Sequence, residues 1–356
     1  MSRDRPSLMD EKDGDAAQHS VKRSAPGASS ATASTAWRIL RYLLGKAGFT
    51  RPGATTGIGL LIIWVILSLT TDNFLTTNNV LNILLQASHL WILAGGVTVT
   101  LIAAEIDLSI ASIEALAGAV IAVVIVQAGM PWPLALLAGV AVGALAGVLN
   151  GFFTTRYAMP SFVTTLAMLG IARGLAFVIT DGESVYGLPG GFVWIGQGKF
   201  GPVPVPIVEA ALVLVALHVM LTRTKIGLNI YAVGGNPEAA RLAGINVART
   251  KMFVLILSGF TAALAGVVLA ARLGTGSGQV GEADLLDAIA AVVIGGTSLF
   301  GGVGRISGTA MGVILIVSIR NGLVLLGVGA FWQPVAIGSL ILAAVFLDHV
   351  TKKRRL

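Results

Sequence analysis

The stretch MFVLILSGFTAALAGVVLAA fills residues 252–271 and contains no charged side chain. An α-helix needs about 20 apolar residues to cross the roughly 30 Å hydrocarbon core of a bilayer. Lys251 precedes the stretch and Arg272 follows it, so a basic residue stands at each end of the apolar run. This arrangement predicts a membrane-spanning helix.

The rest of the chain has the same apolar character. Only 12% of its 356 residues are charged and 55% are hydrophobic, with a mean hydropathy of +0.86. Soluble domains carry about 25% charged residues, so this chain cannot cover a globular surface with its charges. We therefore predict an all-α polytopic membrane protein with about ten transmembrane helices. The predicted spans are residues 55–70, 79–103, 109–129, 132–152, 160–180, 206–222, 252–271, 285–301, 306–326 and 331–348.

The net charge of +7 is distributed in a way that indicates membrane topology rather than nucleic-acid binding. If the N-terminus is cytoplasmic, the inside loops contain most of the basic residues, whereas the outside loops contain little more than Lys199 and Arg272. Cytoplasmic loops of membrane proteins carry an excess of lysine and arginine. The bias predicts that both ends of the chain are cytoplasmic. The inside basic residues are Arg156, Arg223, Lys225, Arg241, Arg249, Lys251, Arg305 and the KKRR run at 352–355.

Four segments are predicted along the chain. Residues 1–35 are rich in serine, alanine and charges of both signs, which predicts a disordered cytoplasmic tail. Residues 36–52 place apolar and basic residues at helical spacing, which suits either a helix lying on membrane lipid or a short basic lead-in to the first span. Residues 53–350 form the predicted transmembrane domain, with a cytoplasmic loop at 223–251, and residues 351–356 form a basic cytoplasmic tail.

Glycine recurs at every fourth position in two regions of the chain. Residues at this spacing lie on one face of a helix, and small residues let helices approach closely in a membrane. We therefore predict tight helix packing along both faces. The two sets are Gly139, Gly143, Gly147 and Gly151, and Gly304, Gly308 and Gly312.

The sequence lacks the residue patterns of phosphate-binding loops, metal sites and catalytic sites. No lysine is followed by serine or threonine, which excludes the phosphate-binding loop of P-loop ATPases. The chain contains no cysteine, and its four histidines show no spacing typical of a metal site. No nucleophile–base set is recognisable. We therefore predict a protein with no catalytic residues, no resident metal and no cofactor.

Two polar segments interrupt the apolar runs. The first, AAEIDLSIAS at 103–112, predicts a broken helix or a re-entrant turn. Within it, Asp107 or Ser109 is expected either to cap the third predicted helix or to contact a solute. The second, GGTSLFGGVGR at 295–305, lies at a comparable place in the other half, and paired interrupted segments are typical of transport pathways. The pathway or gate candidates are Glu105, Asp107, Ser109, Thr297 and Ser298.

Five further ionisable residues lie near or within predicted spans, where such side chains are costly and often functional. Arg173 and Arg320 are expected to pair with an acid whose identity the sequence leaves open. Glu114, Glu209 and Asp287 are expected either to have a role of that kind or simply to extend toward the water.

A soluble-looking segment, YAVGGNPEAARLAGINV at 231–247, lies in the largest basic loop that is predicted to be cytoplasmic. An asparagine N-cap, a proline in the first turn and an acid near the positive end of the helix dipole favour a helix. A glycine then ends it. The pattern predicts a short, rigid helix in the cytosol on which another protein docks. The predicted docking residues are Asn236, Pro237, Glu238, Ala239, Ala240, Arg241 and Gly244.

Several motifs, taken together, resemble the permease subunits of bacterial ABC importers for monosaccharides. EAARLAG at 238–244 is similar to the E-A-A-x-x-x-G loop of ABC importer permeases. The resemblance covers about residues 75–350, and EIDLS, EAARLAGINVARTK and the basic tail are most similar to xylose permeases. The other motifs, in order, are PSFVTTLAMLGIARG, YAVGGNPEAARLAGIN, LDAIAAVVIGGTSLFGGVGR and FWQPVAIG.

The resemblance implies a subunit that passes a monosaccharide, with a pentose favoured, across the inner membrane of a bacterium. It implies a second permease copy, which would give a homodimer. It also implies a cytoplasmic ATPase with two nucleotide-binding modules, docked on residues 236–244, and a periplasmic sugar-binding protein at the outer face. ATP hydrolysis is then expected on the separate ATPase and not on this chain. The long loop at 181–206 is the candidate surface for the binding protein.

Three alternatives stay open at this point. The first is an ABC permease for another small solute, such as an autoinducer, a nucleoside or a branched-chain amino acid. The second is an ion-coupled secondary transporter, for which Asp287 and Glu209 are the available ion-site candidates. The third is an intramembrane enzyme. Dependence on a separate ATPase distinguishes the ABC permeases from the other two.

Overall fold

A computed structural model describes residues 54–339 and residue 342. The predictions for residues 1–35, 36–52 and 351–356 lie outside the described residues. The described part of the chain is mostly helical and contains only four very short strands, which confirms the predicted all-α class.

Helices α1 to α12 follow one another along the described chain, and residues 332–339 are also helical. The helices are α1 Ala54–Thr70, α2 Thr77–Ile102, α3 Ile110–Val126, α4 Trp132–Arg156, α5 Ser161–Ile179, α6 Gly190–Gln197, α7 Val205–Arg223, α8 Lys225–Gly235, α9 Pro237–Leu242, α10 Val247–Leu273, α11 Asp284–Ile294 and α12 Ile306–Leu325.

Within the described residues, six helices are long and apolar enough to cross a membrane. These are α2, α4, α5, α7, α10 and α12. Helices α1 and α3 are apolar but shorter. The chain is therefore a polytopic membrane protein, as predicted, while the count of about ten spans and the placement of both ends stay predictions.

The apolar stretch at 252–271 forms the centre of α10, which packs on α4 along the first glycine set. A Cβ atom on Gly147 would lie 2.5 Å from the carbonyl oxygen of Leu255, and one on Gly143 would lie 2.6 Å from the carbonyl oxygen of Gly259. No side chain fits at such distances, so the two backbones are in direct contact. The predicted tight packing of α4 is confirmed.

Part of the second glycine set brings α12 equally close to α11. Gly308 faces the backbone of Gly295, and Gly312 faces the backbone of Ala291, with no space for a Cβ atom at either position. Backbone contact of this kind maximises van der Waals attraction between helices in lipid, where no hydrophobic effect drives their association. The glycines therefore fix the α11–α12 pair.

The predicted span at 285–301 is wrong as a continuous helix, because α11 ends at Ile294. Three glycines beyond it have positive φ angles: Gly296 (89°), Gly301 (86°) and Gly302 (72°). Glycine adopts this left-handed conformation readily, and it interrupts a helix. The 11 residues of α11 rise only about 16 Å, which is roughly half of the hydrocarbon core.

A segment at 274–283, with a two-residue strand near its start followed by turns, leads into α11 and lies along α3. Gly276 lies against the backbone of Gly118, and Gly281 lies against the side chain of Glu114, one helical turn nearer the start of α3. The segment at 274–283 and α11 together form an interrupted, partly helical piece of chain. Interrupted helices of this type form the solute sites of many transporters.

Four two-residue strands form two antiparallel pairs. β1 Val185–Tyr186 pairs with β4 Thr275–Gly276, and β2 Lys199–Phe200 pairs with β3 Val203–Pro204. The first pair attaches the long loop after α5 to the segment at 274–283, which precedes α11. These strands tie loops together and form no larger sheet among the residues described.

Candidate coupling and transport site

The short helix α9 has the local structure that its sequence predicts. Asn236 is its N-cap, and the Asn236 side-chain oxygen accepts a hydrogen bond from the Ala239 amide at 3.0 Å. Pro237 occupies the first helical position. The helix ends at Leu242, and Gly244 has a φ of 84°. A side-chain cap and a left-handed glycine thus define both ends of a six-residue helix.

Most of the predicted docking residues are exposed. Glu238 and Arg241 form an ion pair of 2.7 Å on the surface, and their side chains are about three-quarters exposed. Leu242 is 86% exposed, whereas Ala240 is buried. An exposed leucine beside a charged pair gives α9 both apolar and ionic groups for contact with another protein. The docking role itself stays a prediction.

The two interrupted segments, predicted to occupy comparable places in the two halves, are in direct contact. The amide of Gly302 donates a hydrogen bond to the carbonyl oxygen of Ile102 at 2.8 Å. Tyr231, in α8, donates from its hydroxyl to the carbonyl oxygen of Gly304 at 2.8 Å. The helix that precedes α9 is therefore bonded to the segment at 295–305.

Thr297 and Ser298 lie at the start of this second segment. The Thr297 side chain is buried, and its hydroxyl has no hydrogen-bond partner among the described residues. The Ser298 hydroxyl accepts from the Phe300 amide at 3.2 Å, and the Ser298 amide donates to the carbonyl oxygen of Val303. Ser298 therefore stabilises the turn, whereas the buried Thr297 hydroxyl makes no hydrogen bond with the described residues.

The first segment is held by Asp107, and the expectation that Ser109 caps α3 with its side chain is wrong. Ser109 occupies the N-cap position, but its side chain makes no capping hydrogen bond. Instead, Asp107 accepts from the Ser109 amide at 2.9 Å and from the Ser109 hydroxyl at 2.6 Å. Asn150 of α4 donates to the same hydroxyl. Burial raises the pKa of the Asp107 carboxyl, and the bonds from Ser109 lower it in part.

Glu105 has a partner that sequence reasoning missed. The Lys251 ammonium lies 2.5 Å from the Glu105 carboxylate, whose side chain is 4% exposed. Lys251 belongs to the second turn of α10, a short distance beyond α9. No local pattern indicates this pair, because 146 positions separate the two residues in the sequence (251 − 105). The pair joins the loop that carries α9 to the first interrupted segment.

A cavity of about 720 Å³ opens beside this ion pair. It lies between the loop that follows α9 and the turn that joins α4 to α5, with Arg241, Asn246 and Ser161 in its lining. Both members of the Glu105–Lys251 pair also line it. The cavity therefore has charged side chains in its lining and lies close to the predicted docking helix.

A second charged cluster joins α2, α3, α10 and α11. The His89 ring nitrogen Nε2 lies 3.3 Å from the Asp284 carboxylate, and the Arg272 guanidinium lies 3.4 Å from His89 Nδ1. His89, Glu114 and Asp284 bring three possible ligand atoms within 4.8 Å of one another. The sequence showed no metal spacing because these residues come from three different helices. The adjacent Arg272 cation opposes the binding of a metal ion there.

The expectation that the intramembrane acids extend to water is wrong for two of them. Glu114 is 1% exposed and Asp287 is 2% exposed. Neither carboxylate oxygen of Glu114 has a hydrogen-bond partner among the described residues. Arg173 donates to the carbonyl oxygens of Gly278 and Val280, at 2.5 and 2.8 Å, and thus supports the segment at 274–283.

Glu209 lies on α7 beside an apolar cavity of about 230 Å³. Its carboxylate atom Oε2 is buried and has no hydrogen-bond partner in the described part of the chain. The cavity is lined otherwise by aliphatic side chains, among them Ile92, Leu136 and Val268. No second acid and no base lines this cavity. The arrangement gives little support to Glu209 as an ion-coupling site.

The fold and site define a membrane transport protein of the permease class, with interrupted apolar segments that meet beside a capped, exposed helix. The chain belongs to the family described as the branched-chain amino acid transport system permease component, whose model matches residues 79–347. It is therefore the permease component of a transport system and a transport subunit, not an enzyme, as predicted.

Curated relatives agree with this assignment over most of the chain. The ribose import permease protein RbsC of Bacillus subtilis (strain 168) is 44% identical over 82% of this chain and 91% of its own length. The xylose transport system permease protein XylH of Escherichia coli (strain K12) is 37% identical over 80% of this chain and 88% of its own. RbsC of Escherichia coli (strain K12) is 41% identical, with coverages of 82% and 92%. The predicted resemblance to sugar-import permeases is confirmed.

Proposed function

We propose that this chain is the membrane-spanning subunit of an ATP-driven importer that passes a monosaccharide, favoured to be a pentose, into a bacterial cytoplasm. The solute class is proposed from the names of the relatives, since the permeases above import ribose or transport xylose. The structural observation that supports coupling to an ATPase is the capped, exposed helix α9. A chain without a phosphate-binding loop must obtain its energy from another subunit.

In this proposal a cytoplasmic ATPase with two nucleotide-binding modules docks on α9. The docking residues are Asn236, Pro237, Glu238, Ala239, Arg241 and Gly244, with the buried Ala240 holding α9 against the rest of the protein. A periplasmic sugar-binding protein delivers the solute to the loop at 181–206, and a second copy of the chain completes the channel. The segments containing Glu105, Asp107, Ser109, Thr297 and Ser298 form the gate at the cytoplasmic end.

Purification of the tagged chain from its native membrane in mild detergent tests the proposed assembly. Mass spectrometry is expected to identify an ATPase subunit with two nucleotide-binding modules and a sugar-binding protein. Binding of ribose, xylose and branched-chain amino acids to that binding protein then identifies the solute. Uptake of the solute into proteoliposomes containing the complex is expected to require ATP on the side of the membrane where the ATPase is bound.

Two results would contradict the proposal. A chain that purifies alone and moves solute into liposomes without ATP would be a secondary transporter. A binding protein that binds leucine or another branched-chain amino acid, and no pentose, would leave the ATP-driven importer in place but refute the sugar. The two parts of the proposal are thus tested separately.

A further inference from the structure

We infer that the ion pair between Glu105 and Lys251 transmits the movement of α9 to the gate, so that both are positioning residues for coupling. This inference rests on the proposed function. The two charged atoms lie 2.5 Å apart, and they join the first interrupted segment to the beginning of α10. The pair is thus the ionic connection between the predicted docking surface and the predicted gate.

The chain between α9 and Lys251 is short and rigid. After α9 ends at Leu242, the amide of Ile245 donates to the carbonyl oxygen of Ala240 at 3.0 Å. Asn246 then caps α10 by accepting a hydrogen bond from the Arg249 amide at 2.9 Å. Every residue of this connection is held by a backbone bond or a cap, so a displacement of α9 carries the first turns of α10 with it.

The gate end of the pair is buried, which makes it difficult to break. The Glu105 side chain is 4% exposed, while the Lys251 side chain is 29% exposed. Separating the pair would leave the largely buried Glu105 carboxylate without a counter-charge, and such a state is strongly disfavoured. Glu105 is therefore expected to follow Lys251 when α10 moves.

Segment 103–109 passes this movement on to both neighbouring parts of the gate. The amide of Ile106 donates to the Ser161 hydroxyl at 3.1 Å, which fixes the segment to the start of α5. The carbonyl oxygen of Ile102, just before the segment, accepts from Gly302 in the second interrupted segment. The ion pair with α10 is therefore connected, through segment 103–109, to both α5 and the segment at 295–305.

The backbone next to Glu105 also suits a movable joint. Ala104 has a φ of 60°, a left-handed conformation that is uncommon for a residue with a Cβ atom. Such a conformation persists only where the surroundings hold it in place, and it is frequent in switch regions. The ion pair is formed by the very next residue, Glu105.

The test uses the complete transporter, with its ATPase and binding protein, in proteoliposomes, and measures solute uptake and ATP hydrolysis in the same sample. Glu105→Gln and Lys251→Met are expected to lower uptake per ATP hydrolysed by roughly tenfold, within the range of about 5–150-fold usual for coupling between two sites. ATP hydrolysis and assembly with the ATPase are expected to stay close to wild type. Arg156→Met is the matched control, because it removes an exposed basic residue at the same predicted end of the bundle.

The double variant Glu105→Gln/Lys251→Met separates coupling from simple stabilisation. It leaves no unpaired charge, so it is expected to fold even if a single variant does not, and to stay as poorly coupled as the single variants. Recovery of wild-type uptake per ATP in the double variant would overturn the inference, as would an unchanged ratio in the single variants. Failure of the proposed function is distinguishable, because the wild-type complex itself would then show no ATP-dependent uptake.

Discussion

Asp287 of α11 and Arg320 of α12 form an ion pair between two helices whose other residues are mostly apolar. The Asp287 side chain is 2% exposed and the Arg320 side chain is 28% exposed. The pair lies beside the glycine contacts that bring the same two helices together. It answers the question that the sequence left open, namely which acid Arg320 meets, and it fixes the short helix α11 in position.

Removal of one partner of this pair is expected to destabilise the protein. Arg320→Met should lower the free energy of unfolding by about 3–5 kcal/mol, because the buried Asp287 carboxylate then has no counter-charge. Asp287→Asn should cost less, because the Arg320 side chain that it leaves unpaired is 28% exposed. The double variant should recover most of this loss, since neither charge remains. Thermal unfolding of the purified protein in detergent measures the three variants against wild type.

The exposed pair Glu238–Arg241 provides the matched control for this prediction. Its side chains are 74% and 70% exposed, so Arg241→Met should cost at most about 1 kcal/mol. If Arg320→Met unfolded at the same temperature as Arg241→Met, the buried pair would have no structural role. A double variant less stable than either single variant would contradict the electrostatic explanation.

Disruption of α9 is expected to uncouple transport without unfolding the membrane domain. Glu238→Lys reverses the charge near the positive end of the helix dipole. Gly244→Pro replaces a residue with a φ of 84° by one whose ring fixes φ near about −65°. The double variant should reach the membrane in wild-type amounts and lose most ATP-driven uptake. Uptake equal to wild type would refute the docking assignment.

Local patterns in the sequence predicted α9 and the packing of α4 well, because their causes lie within a few residues. The Asn236 cap, the Pro237 start and the glycine face that includes Gly147 depend on spacing alone. The polar segment at 295–305 was recognised, but the end of α11 at Ile294 was not. Alanine, valine and isoleucine lead into the segment, and hydropathy does not register a change from helix to turn. A run of apolar residues that ends in glycines fits both a continuous helix and a helix that stops at a turn.

Long-range contacts could not be predicted in the same way. Glu105 was identified as a candidate, but nothing in its neighbourhood indicates Lys251 as its partner. His89 was one of four scattered histidines until the fold brought it to Asp284. Such pairs depend on how helices from distant parts of the chain pack, and one sequence contains no direct record of that packing.

A larger side chain in the α4–α10 contact is expected to prevent correct packing. Gly147→Leu would place a Cβ atom 2.5 Å from the Leu255 carbonyl oxygen, and backbone cannot move aside as a flexible side chain can. We expect little folded protein, measured as the monodisperse fraction after detergent extraction. Gly170→Leu on α5 is the control, because apart from its chain neighbours and the backbone of its own helix none of the described residues lies within 4 Å of its Cβ position. Equal yields of both variants would contradict the close contact.

Neutralisation of Glu114 is expected to leave the protein as stable as wild type or make it more stable. Its two carboxylate oxygens are buried without a hydrogen-bond partner among the described residues, and one lies within 4.8 Å of a carboxylate oxygen of Asp284. A glutamine of the same shape removes the repulsion between two nearby carboxylates and the cost of burying a charge. Each kcal/mol gained should raise the Tm by roughly 2–4 °C.

Asp284→Asn is the contrasting variant, because Asp284 has the partner that Glu114 lacks. Its carboxylate lies 3.3 Å from His89 Nε2, and Arg272 lies on the other side of the same imidazole ring. Loss of the Asp284 charge should leave the positive charge of Arg272 less well compensated and lower the Tm. If Glu114→Gln lowered the Tm as much as Asp284→Asn, the Glu114 carboxylate would itself stabilise the cluster, and the explanation from unpaired burial would be wrong.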